Sequence, residues 1–203
     1  MFKKFNPKED IASNTALKSS LQRSIRTKLL SQIPYLSQPI SLTNNNTNSN
    51  SNSTDQIPLT LLDVLWPKKE TLHLVKCREH VSILACNGQP LFFQHFDGPY
   101  FPTLKLIHQY PKLLKQVQVD RGATKFVLAG ANIMCPGLTS PGAKLPNGLE
   151  TQTPVAVHVE GKSVACAIGL TQMSGIDMVK INKGIGVDNV HWLGDDLWAL
   201  EKV

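Results

Sequence analysis

The residues of this chain best placed to do chemistry are two cations set among glycines. Arg121 and Lys125 lie in the stretch 119–137, where Gly122 and Gly130 bracket a short apolar run and Gly137 follows Pro136. Glycine tolerates positive φ and close approach of other groups. Such a bend exposes backbone N–H groups beside positive side chains, a combination that suits a sugar-phosphate backbone. The chemistry on offer is therefore non-covalent binding. A structural turn carrying incidental cations has the same composition, and charge alone leaves both readings open.

No other constellation reads as a reactive centre. His73, Cys77, His80 and Cys86 do not fall at a common zinc spacing. Cys135 has no evident paired base and reads as a buried, inert thiol. Asp195 and Asp196 are neighbours after Gly194 and read as turn residues rather than a general acid/base pair. The chain has neither a Gly-x-x-x-x-Gly-Lys-Ser/Thr loop nor a dinucleotide fingerprint after a strand. The reading is a non-enzymatic chain with no metal and no cofactor. Its four cysteines, Cys77, Cys86, Cys135 and Cys166, form no Cys-x-x-Cys pair and are expected as reduced thiols.

The elements that must position the motif follow from periodicity. Leu17, Leu21, Ile25 and Leu29 recur every fourth residue, which predicts an amphipathic helix over 13–32 with that stripe in the core. A short helix is predicted over 59–66. Strands follow at 72–77, 81–86 and 91–96, with Asn87-Gly88 as a hairpin turn. Phe92 and Phe93 are adjacent, so in a regular strand they face opposite ways, one to the core and one to a neighbouring unit. Pro102 and Pro111 bracket a helix over 103–110. Beyond it, strands are expected at 116–120, 131–135, 154–160, 163–171 and 187–193, and helices at 122–128 and 174–182. Many short strands between glycine turns predict a small barrel. The fold class is α+β, with a docking domain at 1–112 and a barrel at 113–203. Within the first, 41–56 is almost purely Asn, Ser and Thr at its centre and reads as a disordered insertion.

The net charge is +6, unevenly spread. Residues 1–30 hold seven cations against two acids, and 113–144 hold four against one, whereas 145–203 are acidic. Positive charge at two places favours polyanions. No run approaches the roughly 20 apolar residues of a membrane span, and the N-terminus has no apolar core behind its lysines.

The run 130–142, Gly-Ala-Asn-Ile-Met-Cys-Pro-Gly-Leu-Thr-Ser-Pro-Gly, resembles the signature of the PUA domain, an RNA-binding module. With Met1-Phe2-Lys3-Lys4-Phe5, Pro67-Lys68-Lys69, Leu91-Phe92-Phe93, Lys125-Phe126-Val127-Leu128, Asn182-Lys183-Gly184-Ile185-Gly186 and Gly194-Asp195-Asp196-Leu197-Trp198, the chain resembles the malignant T-cell-amplified and translation-machinery-associated family. The resemblance implies a PUA pseudo-barrel and nucleic acid lying against Arg121, Gly122, Ala123, Lys125, Gly130, Ala131, Asn132, Pro136 and Gly137. Lys144 and Lys183 join that set from charge alone. It also implies a cytoplasmic protein that binds tRNA or ribosomal RNA and the 40S ribosomal subunit. Its partner would be a density-regulated protein with a SUI1 domain, acting in release of deacylated tRNA, subunit recycling and reinitiation. An accessory subunit of an RNA-modification enzyme and a protein-interaction scaffold are the alternatives.

Overall fold

A short N-terminal helix, α1 (Pro7–Asp10), leads into a strand, β1 (Ile11–Ala16), where the stripe had predicted the start of a helix. Thr15 favours extended backbone, and pairing with the next strand carries Asn14 along with it, Asn14 opposite Val75 and Thr15 opposite Leu74. The long helix α2 begins only at Ser19 (Ser19–Gln32). Leu17 and Leu29 are buried, but Leu21 is 52% exposed and Ile25 only half-buried, so the expected core stripe holds at its ends alone. The computed structural model describes residues 1–40 and 59–203, and the expected insertion at 41–56 lies outside the described residues.

α3 (Leu61–Leu65) is closed by a capping box in which Thr60 and Asp63 satisfy each other's backbone N–H groups. A meander follows: β2 (Leu72–Cys77), β3 (Val81–Cys86), β4 (Gln89–His95) and β5 (Tyr100–Pro102), giving one sheet in the order β1-β2-β3-β4-β5. Asn87 and Gly88 both take positive φ in the β3–β4 turn, as their types require. Helix α4 (Leu104–Gln109) ends at the crossing to the second half.

That half contains β6 (Lys115–Val119), α5 (Thr124–Leu128), β7 (Ile133–Met134), α6 (Cys135–Thr139), β8 (Pro154–Val159), β9 (Ala167–Thr171), α7 (Gly175–Ile181), β10 (Ile185–Trp192) and α8 (Asp196–Ala199). The second sheet runs β6-β8-β9-β10-β7, with β6 parallel to β8 and the other pairs antiparallel. Its outer edges are brought together by the chain between them. Asp120 N–H donates to Gly137 O at 3.1 Å, and Gln118 and Lys144 exchange two backbone hydrogen bonds. The architecture is the expected α+β with a curled barrel-like sheet. Pro136-Gly137, read from the sequence as part of the glycine bend, opens α6 with proline in its first turn, where a missing N–H costs nothing. The expected strand over 163–171 starts only at Ala167.

One apolar core joins the halves. Phe2, Phe92, Phe93, Leu104 and Ile107 pack in a single cluster with Ala156, Ile168, Val190, Leu197 and Leu200. Phe92 and Phe93 are both fully buried, because each face of the β4 pleat is covered. Phe93 meets the rings of Phe2, Phe101 and His191 at 5.1, 5.2 and 5.7 Å. Gly194-Asp195-Asp196 locks this seam. Asp195, buried, accepts from Trp198 N–H at 2.8 Å and lies 2.8 Å from Nδ1 of the buried His191. Asp196 accepts from Phe5 N–H at 2.7 Å. The paired acids thus cap a helix and anchor the N-terminal segment.

Candidate nucleic-acid interface

The glycine motif is assembled around one carboxylate. Asp120, at the end of β6, accepts from Ala123 N–H at 3.0 Å and from the Ser140 hydroxyl at 2.8 Å. It therefore fixes both the turn that starts α5 and the chain leaving α6. Gly137 sits between them, and a Cβ there would lie 3.5 Å from the Cβ of Ala123.

α5 ends in a tight reversal. Gly130 has φ of +80°, its N–H donates to Val127 O at 3.0 Å, and Ala131 N–H reaches back to Phe126 O at 3.0 Å, the double bond of a Schellman cap. A Cβ at 130 would stand 2.6 Å from the Trp192 ring. The close approach that requires glycine here thus comes from the barrel interior. Asn132 then turns its side-chain oxygen inward to accept from Asn189 N–H at 3.0 Å, while Asn189 Nδ2 donates to Val127 O and Ala131 O. The loop is rigid because its carbonyls are spoken for by a buried amide.

Beside this loop lies an open groove of about 610 Å³. Gly122, Ala123, Ala131, Asn132 and Gly137 of the expected contact set line it. Phe126, Val127, Ile133, Met134 and Ile185 supply the rest of its apolar wall. Phe126 is 56% exposed, and the Lys125 ammonium stands 4.9 Å from its ring centroid, a cation–π pair on the rim. Arg121 and Pro136 are exposed nearby, with the Arg121 guanidinium lying over the Gly161 turn between β8 and β9. Lys183 belongs to the loop whose Gly184 O accepts from Cys135 N–H at 2.9 Å, so it flanks α6. Lys144 lies along β6, away from the groove lining.

The apolar wall is what the sequence reasoning missed. Val127 is buried, so its neighbour Phe126 had to point outward, and Met134 alternates with the buried Ile133 on a two-residue strand. An apolar residue on the outward face of such an element is the signal that could have found both. Cys135 is buried beneath the groove, its thiol pushed up by burial, and its sulfur contacts Met173 Sδ at 3.8 Å. His73 instead pairs with Asn14 at 2.9 Å, and His80 stacks on Phe96 at 4.4 Å.

A second charged surface lies on the first half. α2 carries no acid. Its Arg23 and Arg26, with Lys68 and Lys69, line an open pocket of about 460 Å³ backed by Trp66. Arg26 stacks 5.2 Å over the Trp66 ring and pairs with Asp63. Burial pushes the Asp63 carboxyl up, but hydrogen bonds from Thr60 and the charges of Arg26 and Lys68 outweigh it and hold the group below its ordinary value. Among the described residues Arg23 and Lys69 form no ion pair.

A curled sheet closed by a glycine-capped helix, with an open groove at that cap, defines a PUA-domain protein. Comparison with known families agrees: residues 5–111 match a Pre-PUA-like domain, and residues 114–196 match the model described as elF2D, PUA domain. The chain belongs to the malignant T-cell-amplified and translation machinery-associated protein family. It is 46% identical over 198 residues to translation machinery-associated protein 20 of Schizosaccharomyces pombe, covering 98% of this chain and 97% of that one. It is 45% identical to malignant T-cell-amplified sequence 1-A of Xenopus laevis, covering 99% and 98%. Among solved structures, a hypothetical protein of Pyrococcus horikoshii OT3 superposes with a TM-score of 0.65 at 21% identity, over 93% of this chain and 99% of that one. A PUA domain from Aeropyrum pernix K1 does so with 0.58 at 25%, over 92% and 89%. Among the described residues no helix is long and apolar enough to cross a membrane.

Proposed function

We propose that this chain is a non-enzymatic, cytoplasmic translation factor whose groove beside α5 holds RNA. The observation that carries the reading is the groove itself: open, walled by Phe126, Met134 and Ile185, floored by the glycine loop, and rimmed by Lys125. One exposed aromatic face and an apolar wall suit a base or ribose at a strand end, while Lys125 and Arg121 meet phosphates and fix position. The translation-machinery name of the fission-yeast relative supports the context.

The division of labour follows the charge. Residues 113–203 contact tRNA or ribosomal RNA. Residues 1–112 dock on the 40S subunit through the Arg23–Lys69 face, together with a density-regulated partner bearing a SUI1 domain. The chain then acts in release of deacylated tRNA, recycling and reinitiation by competitive binding rather than bond chemistry. The test is co-sedimentation with small ribosomal subunits and filter binding to tRNA, with and without the partner. Arg121→Glu with Lys125→Glu should cut RNA binding at least tenfold at low salt. Unchanged affinity in that double variant would reject the groove as the RNA site.

A further inference from the structure

Helix α7 presents a face that nothing among the described residues covers. Met178 is its buried residue, whereas Ile176, Val179 and Ile181 are 79%, 62% and 55% exposed. At about 100° per residue, Ile176 and Ile181 border one side of the helix with Lys180 and Asp177 between them, while Val179 lies on another side, along the neighbouring groove. Ile176 and Val179 also wall an open groove of about 640 Å³ against Leu145 and Leu149. This groove shares no lining residue with the one beside α5.

The order of residues along α7 identifies the occupant. Ile176-Asp177-Met178-Val179-Lys180-Ile181 has the same pattern of apolar and charged positions in either direction, except that acid and base change places. A copy laid antiparallel sets Ile176 against Ile181 and each Asp177 against the other copy's Lys180. That inversion is the self-complementarity a two-fold interface demands, and an unrelated partner would not require it. Asp177 and Lys180 are both exposed. One carboxylate oxygen of Asp177 accepts from the Ser174 hydroxyl at 2.7 Å, which leaves the other outward.

We propose that the α7 face is the contact between two copies of this chain, arranged antiparallel about a two-fold axis. One side of a seven-residue helix covers less than the roughly 800 Å² per partner of a stable complex, so the association is reversible and depends on concentration. The α5 groove stays open in both copies, so the proposal stands independently of the RNA reading.

Sedimentation velocity of the full chain from about 5 to about 500 µM tests it, because dissociation follows mass action. The expected result is a rise from monomer towards dimer. Ile176→Glu and Ile181→Glu, each checked for an unchanged melting curve, should weaken the dimer at least tenfold. Carbodiimide cross-linking of a mixture of light and isotope-labelled chains should join Asp177 of one to Lys180 of the other. A monomer at every concentration overturns the proposal. So does a dimer indifferent to both substitutions, or one that yields mixed-isotope cross-links only elsewhere.

Discussion

The groove beside α5 and the pocket beside α2 both face solvent with cations, yet they are built on opposite principles. The α5 groove is apolar, with Lys125 on its rim, and its shape is fixed by internal hydrogen bonds that Asp120 accepts and Asn189 donates. The α2 pocket is walled by Arg23, Arg26, Lys68 and Lys69, and its Arg26 is held by Asp63 and Trp66. In the proposed reading the first adds stacking and shape, terms that salt hardly touches, to the phosphate contacts of Lys125 and Arg121. In the same reading the second would rely on Coulomb attraction and counterion release, which salt weakens steeply. Positive charge in a sequence therefore marks two different devices, and only the neighbours of each cation separate them.

The largest expected effect tests the rigidity of the groove loop. Gly130→Val adds a side chain at φ +80° and 2.6 Å from Trp192, which should cost about 2–4 kcal/mol and lower the melting temperature by roughly 5–15 °C. Gly148 also has positive φ, but nothing lies within 4 Å of its absent Cβ. Gly148→Ala should therefore cost only about 1 kcal/mol of backbone strain. Equal losses at the two positions would mean that Trp192 does not define the loop.

Next, Phe126→Ala should weaken RNA binding by about 1–3 kcal/mol, the worth of one stacked base, with the melting curve preserved because the ring is exposed. Filter binding at fixed salt checks it, and no loss would reduce the groove to a charged rim.

Asp63→Asn probes the frame of the other pocket. It removes the negative charge and leaves one acceptor oxygen, which cannot serve both Arg26 and the Thr60 capping box, and should cost about 1–2 kcal/mol near neutral pH. The folded Asp63 carboxyl titrates below its unfolded value. Its stabilising contribution is thus complete above the unfolded pKa, 3.8, and is lost as pH falls through the lower folded value. The gap in melting temperature between native and variant chains should accordingly close in acid. A gap independent of pH would show that the charge is not what Asp63 contributes.

The smallest effect is also the sharpest divide. Arg23→Gln with Lys69→Gln should lower the slope of log affinity against log salt by about 0.7–0.9 for each phosphate left without its cation. Phe126→Ala should leave that slope alone. If the two variants shift it alike, the contrast between the surfaces fails.

Much of this molecule was legible in the chain because local chemistry leaves few alternatives. Asn87-Gly88 accepts two positive φ angles and so forces a hairpin. Gly130 and Pro136 punctuate the run between β6 and β8, although proline marked the start of a helix within what read as the glycine bend. The amphipathic stripe misled because Leu17 kept the period while its neighbours Asn14 and Thr15 paired with β2. Period alone cannot say where a helix begins when an edge strand offers the same backbone groups better partners.

Turn chemistry and periodicity, properties of neighbouring residues, by themselves determined the fold class and the presence of a cation-flanked glycine bend, while the family was legible only through the resemblance of its motifs. Tertiary structure alone decided that Gly130 yields to Trp192, that Asn189 pins the loop, and that Phe126, Met134 and Ile185 form one wall. It also decided that Asp195 and Asp196 serve the seam between the halves. Those relations join residues tens to almost two hundred positions apart, and no local rule constrains which side chains the closing of a barrel will bring together.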